Sequence, residues 1–162
     1  MEKIKTQEQL EKIILELKNT GKKVVMANGC FDLLHVGHVR YLQSAKELGD
    51  VLVVAVNSDE SVRTLKGKGR PFMPVMERME VISALRCVDY VTTFSERNAE
   101  KILLLLKPDI HAKGTDYITP EGVPEAEVVK SYGGKTCLAG DPKNHSVTDI
   151  IKEVKRRFCD KG

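Results

Sequence analysis

The chain has 162 residues, of which 41% are hydrophobic, so it is long enough for one domain with a substantial core and too short for two ordinary domains. Its 26 basic and 23 acidic side chains are mixed along the sequence, and the net charge of +3 does not by itself call for a nucleic-acid partner. A surface open to small anionic molecules fits this balance equally well, and we expect a single domain over residues 1–162.

The sequence begins with a predicted helix and continues with a β-α-β unit. Thr6 and Gln9 have the spacing of a helix capping box, and apolar residues follow at helical spacing. The apolar run Val24–Ala27 predicts a buried strand, a helical pattern starts at His38, and the apolar run Val51–Val56 predicts a second strand.

The alternation of strands and helices continues to the end of the chain. Further helices are predicted at residues 74–85, 99–106, 125–132 and 147–158, and further strands at residues 90–94, 110–113 and 135–139. Consecutive apolar strands joined by helices pair in parallel with right-handed crossovers. The sequence therefore predicts a Rossmann-like, doubly wound parallel sheet of about five strands in a three-layer α/β/α arrangement.

Two histidines mark the turn between the first strand and its helix. His35 and His38 share one face of a first helical turn, and Gly37 between them has no side chain to obstruct a ligand. The helix start adds unpaired N–H groups and the positive end of the helix dipole, which together bind phosphate. A structural role for the histidines is the alternative, but Asp32 beside them favours a functional site. Cys or acidic ligands at a familiar spacing are missing, so we expect an anion site and no metal site.

Two more polar stretches, and a turn at Asn57–Asp59, follow predicted strands. Because the carboxyl ends of parallel strands share one edge, we expect that turn to gather with the histidines. The basic, glycine-rich stretch Leu65–Pro71 predicts a mobile loop that brings Lys66 and Arg70 to a nucleotide phosphate, or alternatively a solvated surface loop. At Lys113–Tyr117 a lysine and a carboxylate are placed to meet a substrate hydroxyl or phosphate, unless this is an ordinary turn.

A polar cluster, Asn144–Asp149, opens the last helix. Ser146 or His145 is placed to cap the helix, whose free N–H groups are then available to a phosphate. Plain helix capping explains Ser146 equally well, because serine is among the favoured capping residues.

The cysteines and the hydropathy of the chain indicate its compartment. Cys30, Cys87, Cys137 and Cys159 are far apart and form no Cys-x-x-Cys pair, so we expect free thiols rather than a zinc site or a redox dithiol. No N-terminal segment resembles a signal peptide, and no run approaches the roughly 18 apolar residues of a membrane span. We therefore expect a cytoplasmic protein with no membrane partner.

The stretch from Asn28 to His38, NGCFDLLHVGH, resembles the signature of the cytidylyltransferase-like nucleotidyltransferases, within the larger HIGH-motif superfamily. Segments further along the chain are similar to one branch, the D-glycero-β-D-manno-heptose 1-phosphate adenylyltransferases, which make ADP-heptose for the lipopolysaccharide core. The match runs from about Thr6 to Val154. The similar segments are Val56–Val62, Leu65–Gly67, Arg70-Pro71, Glu77–Met79, Cys87–Val91, Pro108-Asp109, Lys113-Gly114 and Gly133-Gly134.

This resemblance implies transfer of AMP from ATP to a sugar 1-phosphate with release of pyrophosphate, a requirement for Mg²⁺, and a homodimer without a nucleic-acid partner. It implies that His35 and His38 donate onto the triphosphate and that Lys66 holds the α- and β-phosphates. We expect further nucleotide contacts from Asn28, Gly29, Cys30, Phe31, Asp32, Gly37, Arg78, Asp116, Ser146 and Thr148, and contacts with the acceptor from Asn57, Asp59, Arg70 and Lys113.

Three other readings stay open at the level of sequence. One is a cytidylyltransferase acting on glycerol 3-phosphate or another phosphorylated polyol, and another is an adenylyltransferase that forms FAD. The third is a nucleotide-binding sensor module that has lost catalysis, against which the retained histidines and Lys66 speak. Some relatives carry a fused sugar kinase domain, and we expect a separate enzyme to supply the sugar 1-phosphate here.

Overall fold

A sheet of five parallel strands forms the centre of the computed structural model, which describes residues 2–142 and 145–159. The order of the strands is β3-β2-β1-β4-β5, and every pairing is parallel. The sheet confirms the predicted Rossmann-like α/β fold, and β3 and β5 have the predicted bounds. The strands are β1 Val24–Gly29, β2 Val51–Asn57, β3 Tyr90–Phe94, β4 Ile110–Gly114 and β5 Lys135–Ala139.

Helices connect the strands and cover both faces of the sheet. None of the described helices has the length and apolar character of a membrane span. The four cysteines are free thiols. The helices are α1 Gln7–Asn19, α2 Val36–Lys46, α3 Asp59–Lys66, α4 Val75–Ser83, α5 Glu100–Leu106, α6 Ala126–Ser131 and α7 Val147–Phe158, with a short 3₁₀ turn at Pro120–Gly122.

Helix α3 corrects the sequence analysis, which placed a turn at residues 57–59 and a loop at residues 65–71. The Ser58 hydroxyl accepts a hydrogen bond from the Ser61 N–H at 3.2 Å, so a capped helix begins at Asp59. The helix ends at Lys66, and the next residue, Gly67, has a φ of +90°. Lys66 therefore stands on the last turn of a helix, and the irregular stretch begins only after it.

Helix α2 begins at Val36, two residues before the predicted start at His38. His35 precedes the helix with an extended backbone, and its N–H donates to Nδ1 of His38 at 3.4 Å. This is the arrangement of a capping box, in which a side chain of the first helical turn bonds back to the capping residue. The same arrangement is present where it was predicted, between Thr6 and Gln9 at the start of α1.

Two separate cores lie on opposite faces of the sheet. Helices α2 and α4 pack on one face through buried residues such as Leu42 and Ile82. Helices α1, α5 and α6 pack on the other face through buried residues such as Leu10, Leu103 and Val129. The side chains of β1 alternate between the two cores, as do those of β2, because successive residues of a strand point to opposite faces. The N-termini of α2 and α5 therefore approach the same edge of the sheet from opposite sides.

Candidate active site

A cleft of about 760 Å³ lies at the carboxyl edge of the sheet. The last residues of β1, β2, β4 and β5 contribute to its wall. Between β1 and β4 the strand order reverses, because the chain builds β1-β2-β3 in one direction and β4-β5 in the other. Ligands of doubly wound sheets bind at such a switch point, so the position of the cleft is that of a substrate site.

The cleft gathers all but two of the side chains that the sequence analysis selected. The two exceptions are Asp59 and Arg78. The predicted residues that line the cleft are Asn28, Gly29, Cys30, Phe31, Asp32, His35, Gly37, His38, Asn57, Lys66, Arg70, Lys113, Asp116, Ser146 and Thr148.

The two histidines form a stacked pair at the start of α2. Their ring centroids are 3.8 Å apart and the ring planes differ by 24°. The rings of Phe31 and His38 pack edge to face with their centroids 5.3 Å apart, so the His38 ring is held between His35 and Phe31. A Cβ atom at Gly37 would lie 3.0 Å from Nδ1 of His35, which explains why a residue without a side chain stands there.

Both imidazoles are shifted towards the neutral form. Burial and then the neighbouring His35 lower the pKa of His38 to about 4, against a smaller opposing effect of the Leu33 carbonyl. Burial and then His145 lower the pKa of His35. Since Nδ1 of His38 accepts a hydrogen bond, the proton of its neutral ring is on Nε2.

A buried histidine supports the wall of the cleft from below. His111 on β4 is fully buried, and its Nε2 lies 2.9 Å from Oδ1 of Asn28 at the end of β1. Burial and the nearby Lys113 lower its pKa to about 3. His111 is therefore uncharged and holds the side-chain amide of Asn28 in place. No sequence pattern indicated this role.

Asp32 ties the first turn of the cleft to residues 70–73. Its carboxylate, 1% exposed, accepts from Nε of Arg70 at 2.6 Å. It also accepts from the N–H groups of Phe72 at 2.8 Å and Met73 at 3.1 Å. The guanidinium of Arg70 is thereby held at the wall of the cleft. This is the turn-holding role that the resemblance implied for Asp32.

Arg78 and Asp59 are placed differently from the expectation that they contact substrates. Arg78 is 1% exposed, and its guanidinium donates to the carbonyls of Met73 and Cys30. Its remaining nitrogen donates to Oδ1 of Asp59 at 2.7 Å. Because protein acceptors take all three nitrogens and neither residue lines the cleft, the pair acts as a brace beneath it. A sequence pattern cannot distinguish a buried arginine from one that binds phosphate.

Lys66 reaches the cleft from the last turn of α3. It is an exposed side chain, and it stands close enough to Cys30 for its charge to oppose the rise in the pKa of that thiol, which is caused by burial. A lysine at the end of a helix is thus available to a ligand above the first strand.

The start of α7 faces the start of α2 across the cleft. The Ser146 hydroxyl accepts a hydrogen bond from the N–H of Asp149 at 3.1 Å. Ser146 therefore caps the helix, which was one of the two predictions for this residue. The Cβ of His145 lies 3.4 Å from the place that a Cβ of Gly37 would occupy. Asn144, part of the predicted polar cluster, lies outside the described residues. Two helix N-termini therefore point their dipoles into one cleft.

Some cleft residues were not anticipated from the sequence. Arg97 and Asn98 follow β3, so the rule that placed other residues at strand ends would have found them. Glu125 stands at the start of a short helix and had no such signal. The residues concerned are Arg40, Tyr41, Arg97, Asn98, Glu125 and Asp141.

Comparison with known proteins identifies the family to which the chain belongs. Residues 26–156 match the model of the family described as cytidylyltransferase-like. The chain is 49% identical over 156 residues to the bifunctional protein HldE of Pelobacter propionicus, which is 96% of this chain and 32% of that protein. It is 50% identical over 156 residues to the HldE of Geobacter metallireducens, with the same shares. The chain thus spans about a third of the length of these relatives.

Two solved structures are similar to the fold. The lipopolysaccharide core biosynthesis protein of Thermoplasma volcanium GSS1 has a TM-score of 0.65 and 34% identity, over 76% of this chain and all of that chain. The pantoate-beta-alanine ligase of Francisella tularensis has a TM-score of 0.63 over 98% of this chain and 79% of that chain. At 15% identity the second likeness concerns the fold alone.

Replacing Asp32 with Asn is expected to loosen residues 70–73, because the amide loses the ion pair with Arg70 and accepts more weakly from two backbone N–H groups. Hydrogen bonds to charged groups contribute about 1.5–3 kcal/mol, so the amides of Phe72 and Met73 should exchange with deuterium about tenfold faster or more. The amide of Gln9, capped by Thr6, should exchange at an unchanged rate. Unchanged exchange at Phe72 and Met73 would show that Asp32 does not hold the loop.

A pH titration followed by NMR should find the His38 ring titrating near pH 4 rather than near 6.5. As the pH falls below 6.5 the unfolded chain takes up this proton first, so the free energy of unfolding decreases down to about pH 4. Replacing His38 with Gln should flatten that part of the stability profile. A ring that titrates at its ordinary value would contradict the described burial.

Proposed function

Because the chain belongs to the cytidylyltransferase-like family, a family of nucleotidyltransferases, we propose that it transfers AMP from ATP to D-glycero-β-D-manno-heptose 1-phosphate and releases pyrophosphate. The stacked pair of His35 and His38 carries the proposal. It lies at one of two helix N-termini that face the same cleft, with the cations of Lys66 and Arg70 nearby. Helix dipoles, imidazole donors and cations together suit the triphosphate of a nucleotide.

The proposed acceptor rests on the relatives. The curated relatives above are named bifunctional protein HldE, and this chain spans about a third of their length. The solved structure at 34% identity is named for lipopolysaccharide core biosynthesis. The resemblance of residues 28–38 and the later segments to the heptose 1-phosphate adenylyltransferases implies a heptose 1-phosphate as acceptor, and a neighbour named for lipopolysaccharide core biosynthesis agrees with that branch.

The proposed reaction makes one bond and breaks one bond. An oxygen of the acceptor phosphate attacks the α-phosphorus of ATP in line, and the bond from that phosphorus to the oxygen bridging the β-phosphate breaks. The electron pair leaves with pyrophosphate. The attacking oxygen is already an anion, so no base is needed, and the protein contributes position and charge neutralisation.

The histidines and the lysine have separate tasks in this proposal. The Nε2–H of His38 donates to the phosphate oxygens on which negative charge grows, and His35 donates beside it. The charge of Lys66 neutralises the α- and β-phosphates from the end of α3. As the anion approaches, it favours the protonated form of the imidazoles and opposes the effect of burial on their pKa.

Mg²⁺ fits this cleft as a companion of the triphosphate rather than as an ion held by the protein alone. The described residues contain no group of three or more His, Cys, Asp and Glu that could hold a metal. Mg²⁺ is commonly held by substrate phosphates, waters and one or two carboxylates, and Asp116 is the carboxylate of the cleft wall that we assign to it. When bound, the ion neutralises charge on the phosphates.

We also propose that the protein is a cytoplasmic homodimer, as the resemblance implies. Leu15 on the outer face of α1 is 62% exposed and is a side chain that a second copy can cover.

Pyrophosphate release should be measured with ATP or CTP against heptose 1-phosphate, hexose 1-phosphates, glycerol 3-phosphate and FMN. We expect turnover with ATP and D-glycero-β-D-manno-heptose 1-phosphate, because helix N-termini, imidazoles and cations of the cleft suit a triphosphate and the resemblance implies that acceptor. Turnover with CTP alone would contradict the adenylyl transfer. Tight binding of ATP without turnover of any acceptor would favour a sensor module instead.

Replacing His38 with Ala should lower kcat by about a hundredfold or more, since loss of one preorganised donor to a developing charge costs about 2.7–4 kcal/mol. Gln43 on the exposed side of the same helix provides a matched control, and its replacement by Ala should leave kcat within about twofold. Circular dichroism verifies that both variants fold. An unchanged kcat in a folded His38→Ala protein would remove the proposed role.

A further inference from the structure

Glu125 is a buried carboxylate in the wall of the cleft with one oxygen unused. The residue is 4% exposed, and it lies at the start of α6. Its Oε1 accepts from the N–H of Ala99 at 3.4 Å, whereas no described residue donates a hydrogen bond to its Oε2. A buried acceptor without a donor is costly, so a donor from a ligand is an explanation for its presence.

Lys113 stands beside this oxygen without bonding to it. Its Nζ is 3.7 Å from Oε2 of Glu125, which exceeds the length of a hydrogen bond. Both side chains are largely buried, with 15% of Lys113 and 6% of Glu125 exposed, and both residues line the cleft. A hydroxyl group can donate to the carboxylate and accept from the ammonium at the same time. The pair is therefore suited to bind a ligand hydroxyl that forms a hydrogen bond with each of the two side chains.

Glu125 and the stacked histidines line one cleft but stand on elements of opposite faces of the sheet. Glu125 contacts the start of α5 through Ala99, and α5 and α6 pack on the face of the sheet opposite to α2. The stacked histidines stand at the start of α2 on the other face. An ionised phosphate oxygen only accepts hydrogen bonds, whereas the carboxylate of Glu125 needs a donor, so a hydroxyl suits this position better than a phosphate.

We propose that Glu125 and Lys113 form a subsite for a sugar hydroxyl of a bound substrate. The inference rests on the proposed function only in that the substrates carry sugars. Two sugars meet this chemistry, the heptose of the acceptor and the ribose of the nucleotide, and the experiment distinguishes them.

The test measures binding by calorimetry in the wild-type protein and in Glu125→Gln. Glutamine has the same shape and retains an oxygen for the N–H of Ala99, but it lacks the charge that accepts strongly from a hydroxyl. Glu127→Gln, two residues further on and exposed, is the matched control for loss of one negative charge. The ligands are D-glycero-β-D-manno-heptose 1-phosphate, ATP and 2′,3′-dideoxy-ATP.

We expect Glu125→Gln to raise the Kd of one sugar ligand about 10- to 100-fold while Glu127→Gln leaves it unchanged. A rise for heptose 1-phosphate alone assigns the hydroxyl to the acceptor. A rise for ATP but not for 2′,3′-dideoxy-ATP assigns it to the ribose. Unchanged Kd values for both sugars overturn the subsite.

Two additions keep the outcomes separate. If Glu125→Gln does not fold, Glu125→Asp takes its place, because it retains the charge beside Lys113 but withdraws the carboxylate from the ligand. The same rise in Kd is then expected, and an unchanged Kd for both sugars again overturns the subsite. Turnover of heptose 1-phosphate by the wild-type protein is measured in parallel. A protein that binds through Glu125 but does not turn over this acceptor contradicts the proposed function and leaves the subsite standing.

Discussion

The cleft depends on the buried carboxylate of Asp32. In the turn after β1 it accepts three hydrogen bonds from residues 70–73, and so it joins the β1-α2 unit to the segment that follows α3. Arg78 adds a second connection between the same parts through the carbonyls of Cys30 and Met73. Without these connections the histidines at the start of α2 and the cations after β2 would belong to separate loops. A parallel sheet places strand ends at one edge, but side-chain bonds fix the loops relative to each other.

The histidine pair is stable without a ligand because it is uncharged. Two imidazolium rings 3.8 Å apart would repel each other, and burial lowers the pKa of both rings, with His145 adding to the shift of His35 and His35 adding to the shift of His38. The positive character of the cleft comes instead from the N-termini of α2 and α7 and from cations at its rim. An incoming polyanion therefore meets groups that are already in position, and little reorganisation is needed for binding.

The sequence predicted the parts of the molecule that depend on local pattern. Apolar runs and helical spacing predicted the alternation of strands and helices in an α/β fold, and the spacing of His35 and His38 predicted their shared face. Helix α3 was missed because its eight residues carry a weak apolar pattern, although Ser58 with acidic residues after it was a capping signal. The burial of Arg78 and the unused oxygen of Glu125 depend on contacts between residues distant in the chain. Such contacts leave no periodic trace in a single sequence.

The two cores on opposite faces of the sheet have an evolutionary consequence. The stacked histidines stand at the start of a helix packed against one core, and Glu125 stands at the start of a helix packed against the other. Substitutions at distant sites without shared partners add nearly independently. A descendant of this chain can therefore change the side chains near α5 and α6 without rebuilding the start of α2. Divergence on one face of the sheet is compatible with preservation on the other.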